Sequence, residues 1–243
     1  MKKFLLCLFW VSILLLPGVL HAQEDAARIL DSLEKKYSSL KDYSADIHVH
    51  FDIEGFKAPD MQARLYCKPP DKMKIESKRI FFFPKEGGIF NPSMFNTEDF
   101  DVKSLERLTY EGSHAVKLKL TPKKRKQPGP QDFILTIDTD RNLIREINAA
   151  SAEGREARAR VEYGRFSDFD LPTRIELQLD FSFNESMEIK DFGQSPQQAK
   201  RVTGQVEITY SNYRVNTGLS DKIFNEPGSS KSRGGSYKGT ESN

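Results

Sequence analysis

Strict alternation of apolar and polar residues over short stretches is the feature that most constrains this chain. It is clearest in RIELQLDFSF, residues 174–183, where every second residue is apolar. Successive side chains of a β-strand point to opposite faces, so this stretch predicts a strand with one buried face and one wet face. The pattern recurs in about ten short segments separated by turns. Because no helical pattern separates these segments, we expect an antiparallel meander, open sheet or barrel and not a parallel α/β fold.

The first of these strands, YSADIHVHFDIEG at residues 43–55, has a polar face that raises the question of a metal site. Its two sides carry Ala45, Ile47, Val49, Phe51 and Ile53 against Asp46, His48, His50 and Asp52. A closed zinc site takes four ligands, with Cys and His prominent, and the chain has only two other histidines. We therefore predict no metal and no cofactor. The apolar side should face a core or cavity, and the histidines should lie outside.

The chain begins with a segment typical of a secretory signal peptide. Lys2 and Lys3 precede an apolar run over residues 4–16, and Pro17 and Gly18 then interrupt it. The run is too short for a good transmembrane helix, so we predict a signal peptide over 1–22, cleaved after Ala22. One domain is expected over 23–227. Residues 228–243 have almost no apolar content and are expected to be disordered.

Charge and cysteine content argue against several functions. The 37 basic and 35 acidic residues nearly balance, more so without Lys2 and Lys3, which disfavours nucleic acid as the main partner. Cys67 is the only cysteine after the predicted leader, so no intramolecular disulfide is expected. The chain has neither a nucleophile-elbow motif nor a phosphate-binding glycine loop, so we expect no enzyme. The basic run 123–126 is either a solvated turn or a contact for an anionic membrane.

The apolar sheet face needs a cover, and the sequence offers little. A helix is predicted over 24–41, because Ile29, Leu30, Leu33, Tyr37 and Leu40 form one stripe. A long aromatic connection over 84–106, with a helical turn near 98–106, is the second covering segment. IFFF at 80–83 adds further apolar surface. The pattern alone leaves two interpretations open: a concave cavity that holds lipid or another ligand, and an ordinary closed core.

Both ends of the expected domain resemble the LolA family of periplasmic outer-membrane lipoprotein carriers. The first match is ILDSLEKKYSSLKDYSADIHVHF (29–51) with ARLYCKPPDKMKIES (63–77), where the strand ends in the turn Lys68-Pro69-Pro70-Asp71. The second is YSNYRVNTGLSDKIFNEP (210–227), with a D-x-x-F segment from Asp221 to Phe224. The chain departs from the family at Pro69, where the carriers have a gating arginine, and at FFFPKEGGIFNPSMF (81–95), which replaces D-G-x-x-L-W-x-Y-x-P.

The resemblance implies a fold and a function. The fold is mainly β: an incomplete antiparallel β-barrel of about ten or eleven strands, with an N-terminal helix and a lid loop over an apolar concave face. The function is a monomeric periplasmic carrier of an acylated lipoprotein or lipid, with an inner-membrane donor and an outer-membrane acceptor. The expected cavity and lid residues are Ile29, Leu33, Tyr37, Ile47, Val49, Phe51, Leu65, Met73, Ile75, Phe82, Phe90, Met94, Phe95, Leu135, Leu177, Leu179 and Phe181.

Two other functions fit the same sequence. One is a LolA-like envelope sensor or adaptor, which binds lipid or lipoprotein and signals through a protein partner. The other is a structural envelope protein with a closed core. Aspartate in place of Phe82 or Leu177 is expected to abolish loading of a carrier.

Overall fold

A computed structural model describes residues 17–54, 59–70, 72–77, 94–124, 130–151, 156–182, 201–225 and 229–231. Helix α1 spans Pro17–Lys36 and a 3-10 helix spans Asp221–Asn225. The strands are β1 (Tyr43–Ile53), β2 (Met61–Lys68), β3 (Lys72–Ser77), β4 (Phe100–Tyr110), β5 (Ser113–Pro122), β6 (Pro130–Asp138), β7 (Leu143–Ser151), β8 (Glu156–Phe166), β9 (Phe169–Ser182), β10 (Arg201–Val215) and β11 (Ser229–Lys231).

All the strands belong to one antiparallel sheet. Their order is β11-β3-β2-β1-β10-β9-β8-β7-β6-β5-β4, so chain neighbours are mostly sheet neighbours and β10 returns to pair with β1. Within the described residues β11 and β4 are the two edges and do not pair with each other. The mainly β fold, an incomplete barrel with an N-terminal helix, is confirmed.

The alternation in the sequence becomes one continuous apolar face. A row of mutually paired residues crosses eight strands from β1 to β4: Ile53, Gly204, Leu179, Ala157, Ala149, Phe133, Leu120 and Val102. The next row is Phe51, Val206, Leu177, Ala159, Ile147, Leu135 and Leu118. We call the side of the sheet that carries these rows the inner face.

Helix α1 packs on the inner face over the β4 half of the sheet. Ala26, Leu30 and Leu33 are buried against residues of β4 to β7, as the helical stripe predicts. The predicted bounds of 24–41 are wrong at both ends: the helix begins at Pro17, where a missing N–H costs nothing, and ends at Lys36. The amides of Tyr37 and Ser38 bond carbonyls three residues back, which replaces the helical pattern by tight turns.

Strand β4 corrects the prediction for residues 98–106. The expected helical turn is an eleven-residue edge strand, Phe100–Tyr110. A β-bulge between Ser104 and Glu106 interrupts the alternation. As a result Val102, Leu105 and Leu108 recur every third residue, which imitates a helical stripe, although Leu105 is exposed.

Several other predictions concern the ends and the covering segments. Ser229–Lys231, inside the predicted polar tail, pair with β3 as strand β11, and the remainder of that tail lies outside the described residues. Residues 78–93, which hold IFFF, Phe82 and Phe90, also lie outside them. Among the described residues, no helix combines the length and apolar character needed to cross a membrane.

Candidate functional site

The inner face contains two apolar clusters that meet near Ile147. The first lies over β1, β2, β3, β8, β9 and β10, and contains these predicted site residues: Tyr37, Ile47, Val49, Phe51, Leu65, Met73, Ile75, Leu177 and Leu179. The second lies under α1 on β4 to β7, and contains Ile29, Leu33, Met94, Phe95 and Leu135. Phe181 belongs to β9, but its side chain is outside the description. The structure thus places the predicted residues on one face, divided between two clusters.

Tyrosine side chains cover one end of the first cluster through ring contacts and hydrogen bonds. Tyr213 stacks near Phe166, Tyr43 and Tyr210, with ring centroids 4.3, 5.9 and 6.3 Å away. The Tyr213 hydroxyl donates to the Pro172 carbonyl over 2.8 Å, and the Tyr37 hydroxyl donates to that of Asp170 over 2.8 Å. Burial raises the pKa of both phenols, so they remain neutral donors. We call this the closed end of the inner face.

The opposite end, which we call the open end, is covered only in part by described residues. Over β4 and β6, the rings of Phe95, Phe100 and Phe133 lie 5.3 to 5.8 Å apart and form a cap. Over β8, β9, β1 and β2, the inward residues are only partly buried: Ala157, Leu179, Phe51, Ile53 and Met61. The open end therefore presents accessible apolar surface.

Small residues occupy inward positions of β7, β8 and β10 at the open end and leave more space above the sheet there. We call this part of the inner face the floor of the open end. Ala149 on β7 pairs with Ala157 on β8, and Gly204 lies beyond Leu179 in the same row. A Cβ at Gly204 would come within 2.5 Å of the Asp52 carbonyl oxygen, so glycine is required for β10 to approach β1. Sequence reasoning did not single out Ala149, Ala157 or Gly204. The available signal was a break in the large apolar residues at inward positions of β7 and β8.

The closed end is joined to α1 through Asp170. The Asp170 carboxylate accepts from Lys36 Nζ over 2.7 Å and from Arg141 Nη2 over 2.9 Å. Burial alone would raise the pKa of Asp170, but the hydrogen bond and charge of Lys36, with those of Arg141, hold it below its usual value. The last turn of the helix is therefore fixed to the β6–β7 turn and to the start of β9.

The outer face is polar, as the alternation in β1 predicted. Ala45, Ile47 and Val49 are buried, whereas His50 and Asp52 are exposed. A cavity of about 830 Å³ lies along β1, β2 and β3, where polar side chains such as Asp46, His48, Asp60 and Arg64 line it together with Ile47, Met61 and Ala63. Within the part of the chain that the structure describes, no group of three or more His, Cys, Asp or Glu residues is arranged to hold a metal ion.

The two segments that carry the LolA resemblance meet in space. Lys68 and Lys72 flank the turn after β2, and their Nζ atoms lie 2.6 and 3.0 Å from the Asp221 carboxylate oxygens. Phe224, the last residue of the D-x-x-F segment, is buried. Both segments thus brace the β3 side of the sheet.

Cys67 lies at the closed end of β2 and is buried in the first cluster. Burial raises the pKa of its thiol to about 12. A reactive cysteine needs a lowered pKa and access to solvent, so Cys67 is a packing residue.

Comparisons with known proteins concern the fold. Neither a protein-family model nor a curated protein matches the sequence. Among solved structures, an outer membrane lipoprotein-sorting protein domain from Vibrio parahaemolyticus superimposes with a TM-score of 0.60 at 13% identity, over 84% of this chain and 97% of that one. A DUF1329 family protein from Desulfovibrio piger gives 0.60 at 14%, with the same coverage.

A LolA superfamily protein from Nitrosomonas europaea superimposes with a TM-score of 0.55 at 14% identity, over 83% of this chain and 97% of that one. These identities are low, and the agreement extends over nearly the whole of each compared structure. The chain therefore has the LolA-like fold that its two terminal segments predicted.

Proposed function

We propose that this protein is a periplasmic carrier that shelters the acyl chains of a lipoprotein or lipid on its inner face, for transfer to the outer membrane. The observation that carries the proposal is the accessible apolar floor of the open end, formed by Ala149, Ala157 and Leu179 and bordered by Phe51 and Met61. The LolA-like fold supports a binding role for this face.

The energetics suit reversible carriage. Each sheltered CH₂ group contributes about 0.8 kcal/mol, so a chain of about 16 carbons contributes roughly 13 kcal/mol if fully covered. No bond is made or broken. In the described part of the open end, the inner face offers an acyl chain apolar contacts and no charged groups, because the charged residues of β8 and β9 there point to the outer face. Release then requires a covering segment, such as α1, to move.

Native mass spectrometry of the protein purified from periplasm without detergent tests the proposal. We expect extra mass that dissociates as acyl lipid or lipopeptide, or uptake of a fluorescent fatty acid by the lipid-free protein. A bare polypeptide mass without uptake would reject the carrier and favour a closed core. Co-purification of a membrane-bound regulator in place of lipoproteins would favour the sensor.

A matched pair of variants locates the ligand. Ala157→Trp fills the floor of the open end, and we expect it to reduce fatty-acid uptake at least tenfold. Ala150→Trp is the control, because Ala150 lies on the neighbouring strand but is exposed on the outer face. Equal uptake by the two folded variants would place the ligand elsewhere. Leu177→Asp is a poorer test than the sequence suggested, because Leu177 is buried and an aspartate there would destabilise the fold itself.

A further inference from the structure

One carboxylate joins two histidines across the first strand pair. Asp60 directly precedes β2, and its Oδ2 and Oδ1 atoms lie 3.1 Å from His48 Nε2 and 2.7 Å from His50 Nδ1. Both histidines lie on the outer face of β1, where they are separated by one inward residue, Val49. With both imidazoles protonated, each nitrogen donates to a different oxygen of the same carboxylate.

The surroundings of this group are acidic. His50 faces Asp52 on its own strand and Glu207 on β10, its register partner. Arg174 neutralises part of that charge, because its Nη2 donates to Glu207 over 2.6 Å. His48 pairs with Thr209 on β10 and Gln62 on β2, both uncharged. Hydrogen bonding to Asp60, followed by its charge and those of Asp52 and Glu207, raises the pKa of His50 above its ordinary 6.5.

The group lies directly behind the open end. Phe51 and Ile53 follow His50 on β1, Met61 follows Asp60 on β2, and all three point inward as partly buried members of the first cluster. A contact that holds Asp60 against β1 on the outer face therefore also holds these three inward side chains at the edge of the open end.

We propose that His48, Asp60 and His50 form a pH-sensitive clasp that holds the ends of β1 and β2 together at the open end. The clasp is tight when His50 is protonated and loosens when His50 is neutral, and His48 supplies the second contact to the same carboxylate. The clasp controls how firmly the inward side chains of Phe51, Ile53 and Met61 are held at the open end. Its own three residues lie on the outer face and do not contact an apolar ligand.

The pH window follows from the directions of the two pKa changes. The pKa of His50 is raised on folding, so its contribution is fully present below 6.5 and is lost as the pH rises through the folded-state value. Hydrogen bonding and charge from the histidines lower the pKa of Asp60, so its contribution is present above 3.8 and is lost as the pH falls through its folded-state value. The clasp is therefore tightest between pH 3.8 and 6.5.

Hydrogen exchange followed by mass spectrometry tests the clasp in the purified protein. With rates corrected for intrinsic exchange, we expect the amide protection of residues 48–53 of β1 and 61–64 of β2 to fall at least threefold from about pH 5.5 to about pH 8. The double variant His48→Gln/His50→Gln should show no such fall. His114→Gln is the control, because His114 on β5 pairs with Asp140 in the β6–β7 turn, away from the clasp. This variant should behave like the unmodified protein.

A second measurement does not depend on whether the ends of β1 and β2 move apart. In an NMR titration, Asp60→Asn should shift the pKa of His50 down towards 6.5, whereas Asp140→Asn should leave it unchanged. The proposal is overturned if Asp60→Asn leaves the His50 titration where it was, or if the double variant keeps the full pH dependence of exchange. Neither outcome bears on lipid carriage, so the two proposals fail independently.

Discussion

At the scale of single residues, Asp170 connects three parts of the molecule, and no sequence pattern predicted this. Its side chain is 9% exposed and accepts from Lys36 of α1 and Arg141 of the β6–β7 turn. Asp170→Asn should lower the free energy of unfolding by about 2 kcal/mol, because both cations lose an ionised acceptor. Urea denaturation at neutral pH measures this loss. Asp168→Asn, an exposed change in the β8–β9 turn just before Asp170, should stay within about 0.5 kcal/mol. An equally small effect at Asp170 would contradict the connection.

At the scale of elements, α1 depends on its buried stripe. Leu30 is 1% exposed and packs between Ala26 and Leu33 over β4 to β7. Leu30→Ala should lower the free energy of unfolding by about 3 kcal/mol, through lost apolar transfer and the remaining cavity. It should also speed proteolysis within α1. Glu34→Ala, on the exposed side of the helix, is the control and should change stability by less than about 0.5 kcal/mol. If both variants unfold alike, the helix is not held by its apolar stripe.

The elements also show where the sequence suffices to predict structure. The second part of β9 could be predicted because Ile175, Leu177 and Leu179 alternate with polar residues. Its first five residues, 169–173, precede a register shift opposite β8 and lie outside the predicted segment 174–183. Strand β4 could not be predicted, because its bulge shifts the alternation by one residue at Ser104. A bulge depends on pairing with β5, and such a long-range contact leaves no local signal in the sequence.

The candidate site was predictable to the same extent. Single-strand alternation gives the face on which Ile47, Val49 and Phe51 lie, and the structure confirms that face. It does not give the register between strands. The low floor exists only because Ala149 on β7 meets Ala157 on β8, and the clasp exists only because Asp60 returns to His48 and His50. Both depend on pairings that no single strand encodes.

At the scale of the whole molecule, ion pairs connect segments that are far apart in the chain. Carboxylates with lowered pKa values occur at Asp46, where Asn212 and Arg64 bond it, at Asp170, where Lys36 and Arg141 outweigh burial, and at Asp221, where Lys68 and Lys72 bond it. Each joins two elements that are distant in sequence. These links add to strand pairing: Asp46 joins β1 to β2 and β10, Asp170 joins β9 to α1 and the β6–β7 turn, and Asp221 joins the 3-10 helix to β2 and β3.

These links predict acid sensitivity. Each carboxylate has a folded-state pKa below its ordinary 3.8, so its contribution is present above 3.8 and is lost as the pH falls through the folded-state value. We therefore expect the urea midpoint to fall from about pH 5 to about pH 3 at a constant denaturant slope. Asp46 is partly exposed and Asp221 is more than half exposed, so salt should weaken their contributions to stability. Asp170→Asn should flatten the profile where Asp168→Asn does not, and a midpoint that is unchanged or rises towards pH 3 would show that these pairs do not stabilise the fold.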